Sequence, residues 1–127
     1  MGKIKMLGAL AGDIIGSVYE FCNTKSTDFD LFCGASNFTD DSVMTLAVAK
    51  WLLEDSSHTI HYLIYCMQEL GDHHPNAGYG GLFAGWLYED NPQPYNSWGN
   101  GAGMRVSPVG LYAKTRICRS IYKGQPI

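Results

Sequence analysis

Three oxygen-bearing side chains stand in a row at Thr39-Asp40-Asp41, where a polar stretch gives way to an apolar helical pattern. Hard cations such as magnesium prefer oxygen ligands, so the run could hold one. The same residues could instead cap a helix. A Thr or Asp there satisfies orphan amides, and an acid near a helix N-terminus gains roughly 0.3–1 kcal/mol from the dipole. One cap needs one residue, and here three compete for the task. Asp13 and Glu20 fall on one face of an expected first helix, about 10 Å apart along its axis, with Ser17 between them. A polar strip on an apolar helix is ordinarily a solvated edge and gains meaning only when something faces it. His73 and His74 precede Pro75. Neighbouring residues point in different directions, so they carry little weight as ligands or bases.

Two loops are rich in glycine and amides: Gly78-Tyr79-Gly80-Gly81 and Gly99-Asn100-Gly101-Ala102-Gly103. Each precedes an expected helix, and backbone amides at a helix start can receive an anion such as a diphosphate. Neither matches the P-loop or the dinucleotide fingerprint, and no strand precedes either, so an ordinary turn also accounts for them. Tyr95 and Trp98 could offer a flat face to an adenine, with burial in the core as the competing role.

The elements that must position these residues are helical. Leu7, Leu10, Ala11, Ile14, Ile15 and Val18 make a helical stripe. Gly8, Gly12 and Gly16 recur every turn, at a cost of about 1 kcal/mol each against alanine. They suggest a face where another backbone comes close, or one that faces a ligand. Residues 21 to 38 read as a loop, long for a compact domain and so a candidate functional segment. A second helix is expected from Asp40 to Glu54, burying Met44, Ala47, Val48, Trp51 and Leu52. A third is expected from His58 to Leu70, with Ile60, Leu63, Ile64 and Met67 inward, Ser57 as its N-cap and Gly71 as its stop. A short helix follows at Leu82 to Tyr88, and Asn91-Pro92-Gln93-Pro94 breaks the chain. The last helix, Gly101 to Lys114, contains Pro108, which should kink or split it. The tail after Tyr122 should fray. No repeat, low-complexity tract or strand pair stands out.

Composition narrows the class. The 127 residues are 46% apolar and 17% charged with a net charge of -3, a globular balance without a basic stripe. That argues against a nucleic-acid scaffold as partner. The four cysteines, Cys22, Cys33, Cys66 and Cys118, form no C-x-x-C pair and are expected as free buried thiols in a reducing cytosol. Lys3 and Lys5 precede an apolar stretch, but Asp13 interrupts it and no cleavage site follows, so a mature helix is expected rather than a signal peptide. No apolar run is long enough to span a bilayer. A cytoplasmic location without membrane attachment follows as the expectation.

Three segments taken in order carry a resemblance: Gly8-Ala9-Leu10-Ala11-Gly12-Asp13-Ile14-Ile15-Gly16, Phe38-Thr39-Asp40-Asp41-Ser42-Val43-Met44 and Gly99-Asn100-Gly101-Ala102-Gly103-Met104-Arg105. Their order and spacing resemble the ADP-ribosylglycohydrolase family, including its dinitrogenase reductase-activating branch, from about Met6 to Thr115. The resemblance implies an all-α fold and a hydrolase that removes ADP-ribose from a protein or small acceptor. It implies a pair of magnesium or manganese ions, with Thr39, Asp40 and Asp41 as ligands. Glu20 corresponds to a catalytic or metal-linked glutamate, Gly78, Tyr79, Gly80 and Gly81 to a loop around the diphosphate. Ser97, Trp98, Gly99, Asn100 and Gly101 correspond to a segment that holds ribose and adenosine, with Trp98 where some relatives place a tyrosine against adenine. Asp13 is expected as a supporting group. A metal near the anomeric carbon can polarise the scissile bond, and glycoside cleavage needs a carboxylate beside an oxocarbenium-like centre. ADP-ribose is anionic, so this acidic chain needs local donors to bind it.

Family members run longer and complete their metal pair with an Asp-x-Asp followed by Thr or Ser. Here Thr27-Asp28-Phe29-Asp30-Leu31 lies elsewhere and lacks the hydroxyl. The expectation is an N-terminal portion, residues 1–127, of one truncated domain with half a metal site, weak or no metal binding and impaired activity. Two alternatives stand beside it: a non-catalytic ADP-ribose- or nucleotide-binding module or inactive remnant, and a plain helical interaction domain. Apolar helix faces left uncovered should drive homo-oligomerisation.

Overall fold

The computed structural model describes residues 6–123. All regular structure among them is helical: α1 Leu7–Gly16, α2 Asp40–Glu54, α3 Ile60–His73, α4 Gly81–Trp86, α5 Gly101–Met104 and α6 Ser107–Lys123. The all-α expectation holds.

α2 is the centre of the molecule. Its residues from Ser42 to Leu52 supply most of the buried side chains: Val43, Met44, Ala47, Val48 and Leu52 join Cys66 and Met67 of α3, Ala77 and Leu87 in one core. α3, α6, α1 and α5 all pack on α2. The sequence places apolar residues on more than one face of this helix, as an element with neighbours on several sides requires. Thr39 adopts an extended conformation and its hydroxyl accepts from the Asp41 amide at 3.3 Å, so a cap does start α2 there. Lys50 ties α2 to α3 through Glu69 at 2.9 Å, beside its own-helix partner Glu54 at 3.3 Å.

Several expectations need correction. α1 stops at Gly16 instead of reaching Val18, and Ser17 folds its hydroxyl back to the Ile14 carbonyl at 2.9 Å. The three glycines of α1 have open space where a Cβ would stand, so no neighbouring backbone explains them. α3 begins and ends later than expected. Thr59, not Ser57, caps it by accepting from the Tyr62 amide, and Asp55 holds that turn through the Thr59 amide and hydroxyl, both at 2.7 Å. Ile60 therefore sits at the exposed first position rather than inward. Gly71 does not stop α3. It is buried inside the helix, where a Cβ would come within 2.8 Å of Leu87. The short helix is α4, displaced by one or two residues from the expected one. Pro108 splits the last helix, giving α5 and then α6, in which proline occupies the second helical position. Cys22 and Cys33 are exposed free thiols, contrary to expectation, whereas Cys66 is free and buried. The Cys118 side chain, Lys3, Lys5 and the last residues of the tail lie outside the described residues. No helix among the described residues is long and apolar enough to cross a membrane.

Candidate functional site

The head of α2 is the meeting point of three distant segments. Asp13 of α1 accepts four hydrogen bonds there. Its Oδ2 takes the Thr39 amide at 2.8 Å, the Ser42 amide at 3.1 Å and the Ser42 hydroxyl at 2.5 Å. Its Oδ1 takes the Thr39 hydroxyl at 2.5 Å. Asp13 thus acts as a cap reaching across from another helix, and satisfies amides that α2 cannot pair internally. The Asp40 amide donates to the Ala77 carbonyl at 2.8 Å, which brings Gly78–Gly81 beside the same helix end. One turn further along, the Thr45 hydroxyl donates to the Met104 carbonyl at 3.2 Å and fixes α5 and its glycine loop. The long loop is tied back in turn: the Asn37 amide donates to the Ser17 hydroxyl at 3.1 Å, and the Tyr19 hydroxyl to the Asp30 carbonyl at 2.9 Å.

These ties enclose an open cavity of about 1280 Å³. Small-molecule sites commonly run about 300–1,000 Å³, so it has room for a nucleotide-sized ligand. Asp13, Glu20, Thr39, Asp40 and Asp41 line one side. Gly78, Tyr79, Gly80, Ser97, Gly99, Asn100 and Gly101 also line it, with Tyr95 and Arg105. Gly12 and Gly16 face it too, a setting in which a bare helix backbone leaves room for a ligand. Gly81 and Trp98 are not among the lining residues; Trp98 is fully exposed, at 103% relative accessibility. Ser97 shapes its loop by accepting the Gly99 amide at 3.1 Å. Glu20 is exposed on the turn that follows α1.

Charge is unevenly arranged. Asp40 is half-buried, and burial followed by repulsion from Asp41 and Glu20 pushes its carboxyl up to about 6. Burial, Asp13 and Glu20 also raise Asp41, while Arg105 opposes them. The Tyr79 hydroxyl is buried without a hydrogen-bond partner, and burial next to Asp40 pushes it to about 12, so it stays a neutral phenol. Phe83 and Trp86 stack at 5.4 Å on α4, and the Arg105 guanidinium lies 4.9 Å from the Phe83 ring centre. Sequence reasoning had not singled out Phe83, Trp86, Ser42 or Arg105 as site residues. Ser42 and Arg105 each had a signal, since both lie within segments that carry the resemblance.

Repelling carboxylates are where a cation lowers the energy. Among the described residues, however, no three His, Cys, Asp or Glu side chains are grouped so as to hold a metal ion. The Thr39 hydroxyl already serves Asp13 and the Asp41 amide. Magnesium often keeps several waters and needs only one or two carboxylates. The donor set fits one largely hydrated divalent ion at Asp40 and Asp41. It does not fit an enclosed pair.

The sequence model of a family described as ADP-ribosylglycohydrolase matches residues 5–123. No curated protein gives a significant match to the chain. The same is true of solved structures.

Proposed function

The chain belongs to the ADP-ribosylglycohydrolase family, and from that premise we propose that its cavity binds the ADP-ribosyl group of a modified protein or small acceptor and hydrolyses its glycosidic bond. The observation that carries the proposal is the shared cavity. Asp40 and Asp41, Glu20 and both glycine loops, far apart in sequence, line one space large enough for such a ligand. Asp13 holds the α2 head in place and is too occupied with hydrogen bonds to act on substrate. Glu20 is free to accept a proton from water. The water oxygen then bonds to the anomeric carbon, the bond from that carbon to the acceptor breaks, and the acceptor leaves with the proton that Glu20 took, returned to it through solvent. A magnesium or manganese ion at Asp40 and Asp41 would polarise the leaving bond and orient ribose hydroxyls. The Gly78–Gly81 loop is assigned to the diphosphate, and Ser97 and Gly99–Gly101 to the nucleoside.

The test is release of ADP-ribose, followed by mass spectrometry, from peptides ADP-ribosylated on arginine or serine, with magnesium or manganese present. Wild type should release it, and Glu20→Gln should be slower by about 10²-fold or more, the usual worth of a positioned general base. Binding of ADP-ribose with no release would favour the non-catalytic module. Neither binding nor release would remove the proposal.

A further inference from the structure

An ADP-ribosyl group brings a diphosphate into a cavity whose described lining includes the carboxyl groups of Asp13, Glu20, Asp40 and Asp41. Something must offset that charge. The helices that follow the glycine loops add little, since α4 has six residues and α5 has four, and the N-terminus of the longer α2 already carries Asp40 and Asp41 and is capped by Asp13. Arg105 is the one cation among the described lining residues.

Its position is specific. Nε donates to the Gly101 carbonyl, the guanidinium lies over the Phe83 ring, and Nη1 approaches the Met67 sulfur at 3.9 Å. Phe83 stands just past the Gly78–Gly81 loop and Gly101 lies within the other glycine loop, so the guanidinium is wedged between the two. A Cβ at Gly101 would fall 2.6 Å from Nη2, so the group can lie there because residue 101 has no side chain. Among the described residues no carboxylate forms an ion pair with it. Asp40 and Asp41 act on it only at longer range, and burial pulls its pKa below the ordinary value. A half-buried cation facing a cavity without an ionic partner is stabilised by an anion that arrives there.

On the functional reading above, we propose that Arg105 receives the diphosphate of the ADP-ribosyl group between the two glycine loops and so fixes the direction of the ligand, with the reacting sugar directed to Asp40, Asp41 and Glu20. Arg105 is then a determinant of specificity for a phosphorylated ligand, distinct from the residues that act on the bond.

The test compares ADP-ribose with adenosine, which lacks the phosphates, by ligand-observed NMR titration of wild type, Arg105→Met and Arg105→Lys. Circular dichroism melts accompany each protein. Arg105→Met should weaken ADP-ribose about tenfold or more, as expected for loss of a charge-assisted contact, and leave adenosine within about twofold. Arg105→Lys should fall between, because it keeps the charge without the planar fork. Added salt should weaken ADP-ribose binding to wild type more than to Arg105→Met. Equal binding of ADP-ribose by wild type and Arg105→Met overturns the inference alone. Equal losses of ADP-ribose and adenosine also overturn it, and make Arg105 a loop anchor. If wild type binds no ADP-ribose, the functional reading fails and takes the inference with it.

Discussion

Asp40 is the residue at which the fold and the proposed chemistry compete. At the head of α2 a carboxylate would ordinarily gain from the helix dipole, yet burial, Asp41 and Glu20 together outweigh that and lift its carboxyl from an ordinary 3.8 to about 6. A group whose folded pKa is raised stabilises the fold fully below its unfolded pKa, and loses that contribution as pH rises through the folded value. Wild type should therefore gain stability from this group as pH falls from about 7 to 4. Asp40→Asn removes the repulsion without changing the shape. Because Asp40 is only half-buried, solvent screening keeps the effect small: a rise in melting temperature on the order of 1–3 °C at pH 8, vanishing by pH 4. Melts across that range check it, and a gain that grows toward pH 4 would contradict the assigned cause. The acidic run itself was legible as consecutive oxygen donors. The work of Asp13 was not. Its spacing to Glu20 described a strip on one helix, while its partners, the amides and hydroxyls of Thr39 and Ser42, lie across a long loop that local pattern cannot close. Arg105 was hidden for the same reason, since a single arginine after a glycine loop has no periodicity to reveal the ring and carbonyl it meets.

Among the elements, α2 was read to its ends because cap, first-turn acids and apolar pattern all agree. α3 was misread because Gly71 looked like a terminator. Its role is contact: Leu87, only 3% exposed, packs onto the bare backbone where a side chain would stand. Substituting alanine sets two effects against each other. Better helix propensity is worth about 1 kcal/mol, and overpacking a tight contact costs about 1–3 kcal/mol. Leu87 is the free end of a side chain but is enclosed in the core, so the cost should win. Gly71→Ala should destabilise the protein by up to about 2 kcal/mol, and Leu87→Ala in the same chain should recover part of that specific clash in a double-mutant cycle. Gly8→Ala is the control on α1. Open space surrounds its position and it does not line the cavity, so it should stabilise by about 0.5–1 kcal/mol. Urea denaturation of the single and double variants reads all three, and a stabilising Gly71→Ala would show that the Leu87 contact yields freely.

The whole molecule has a small interior for its length. A folded monomer of 14.0 kDa should expose about 6,700 Å² by the usual scaling of surface with mass, whereas this chain exposes 9348 Å². Much of that surface is apolar. Leu53, Ile60 and Leu82 are each more than two-thirds exposed, as is Phe21 on the long loop, and α1 contributes no buried residue. Large apolar side chains left open on three helices and the long loop are the kind of surface that ordinarily becomes an interface when they adjoin. The alternative, that single exposed apolar residues are merely tolerated, is normal for scattered positions. It fits poorly where helices α2, α3 and α4 each present one. We therefore propose self-association, with a second copy covering these faces. Sedimentation equilibrium should give a mass near twice 14.0 kDa or above, with the dimer fraction rising with concentration. Leu53→Lys together with Ile60→Lys should shift the species toward monomer without lowering the melting temperature measured at high dilution, since both side chains already face solvent in the single chain. A monomer at high concentration, or a charged double variant that associates as strongly as wild type, would mean that these faces are not the joining surface. Because the cavity is built from α1, the α2 head and the two glycine loops, dissociation itself should leave ADP-ribose binding in place, which separates assembly from the site.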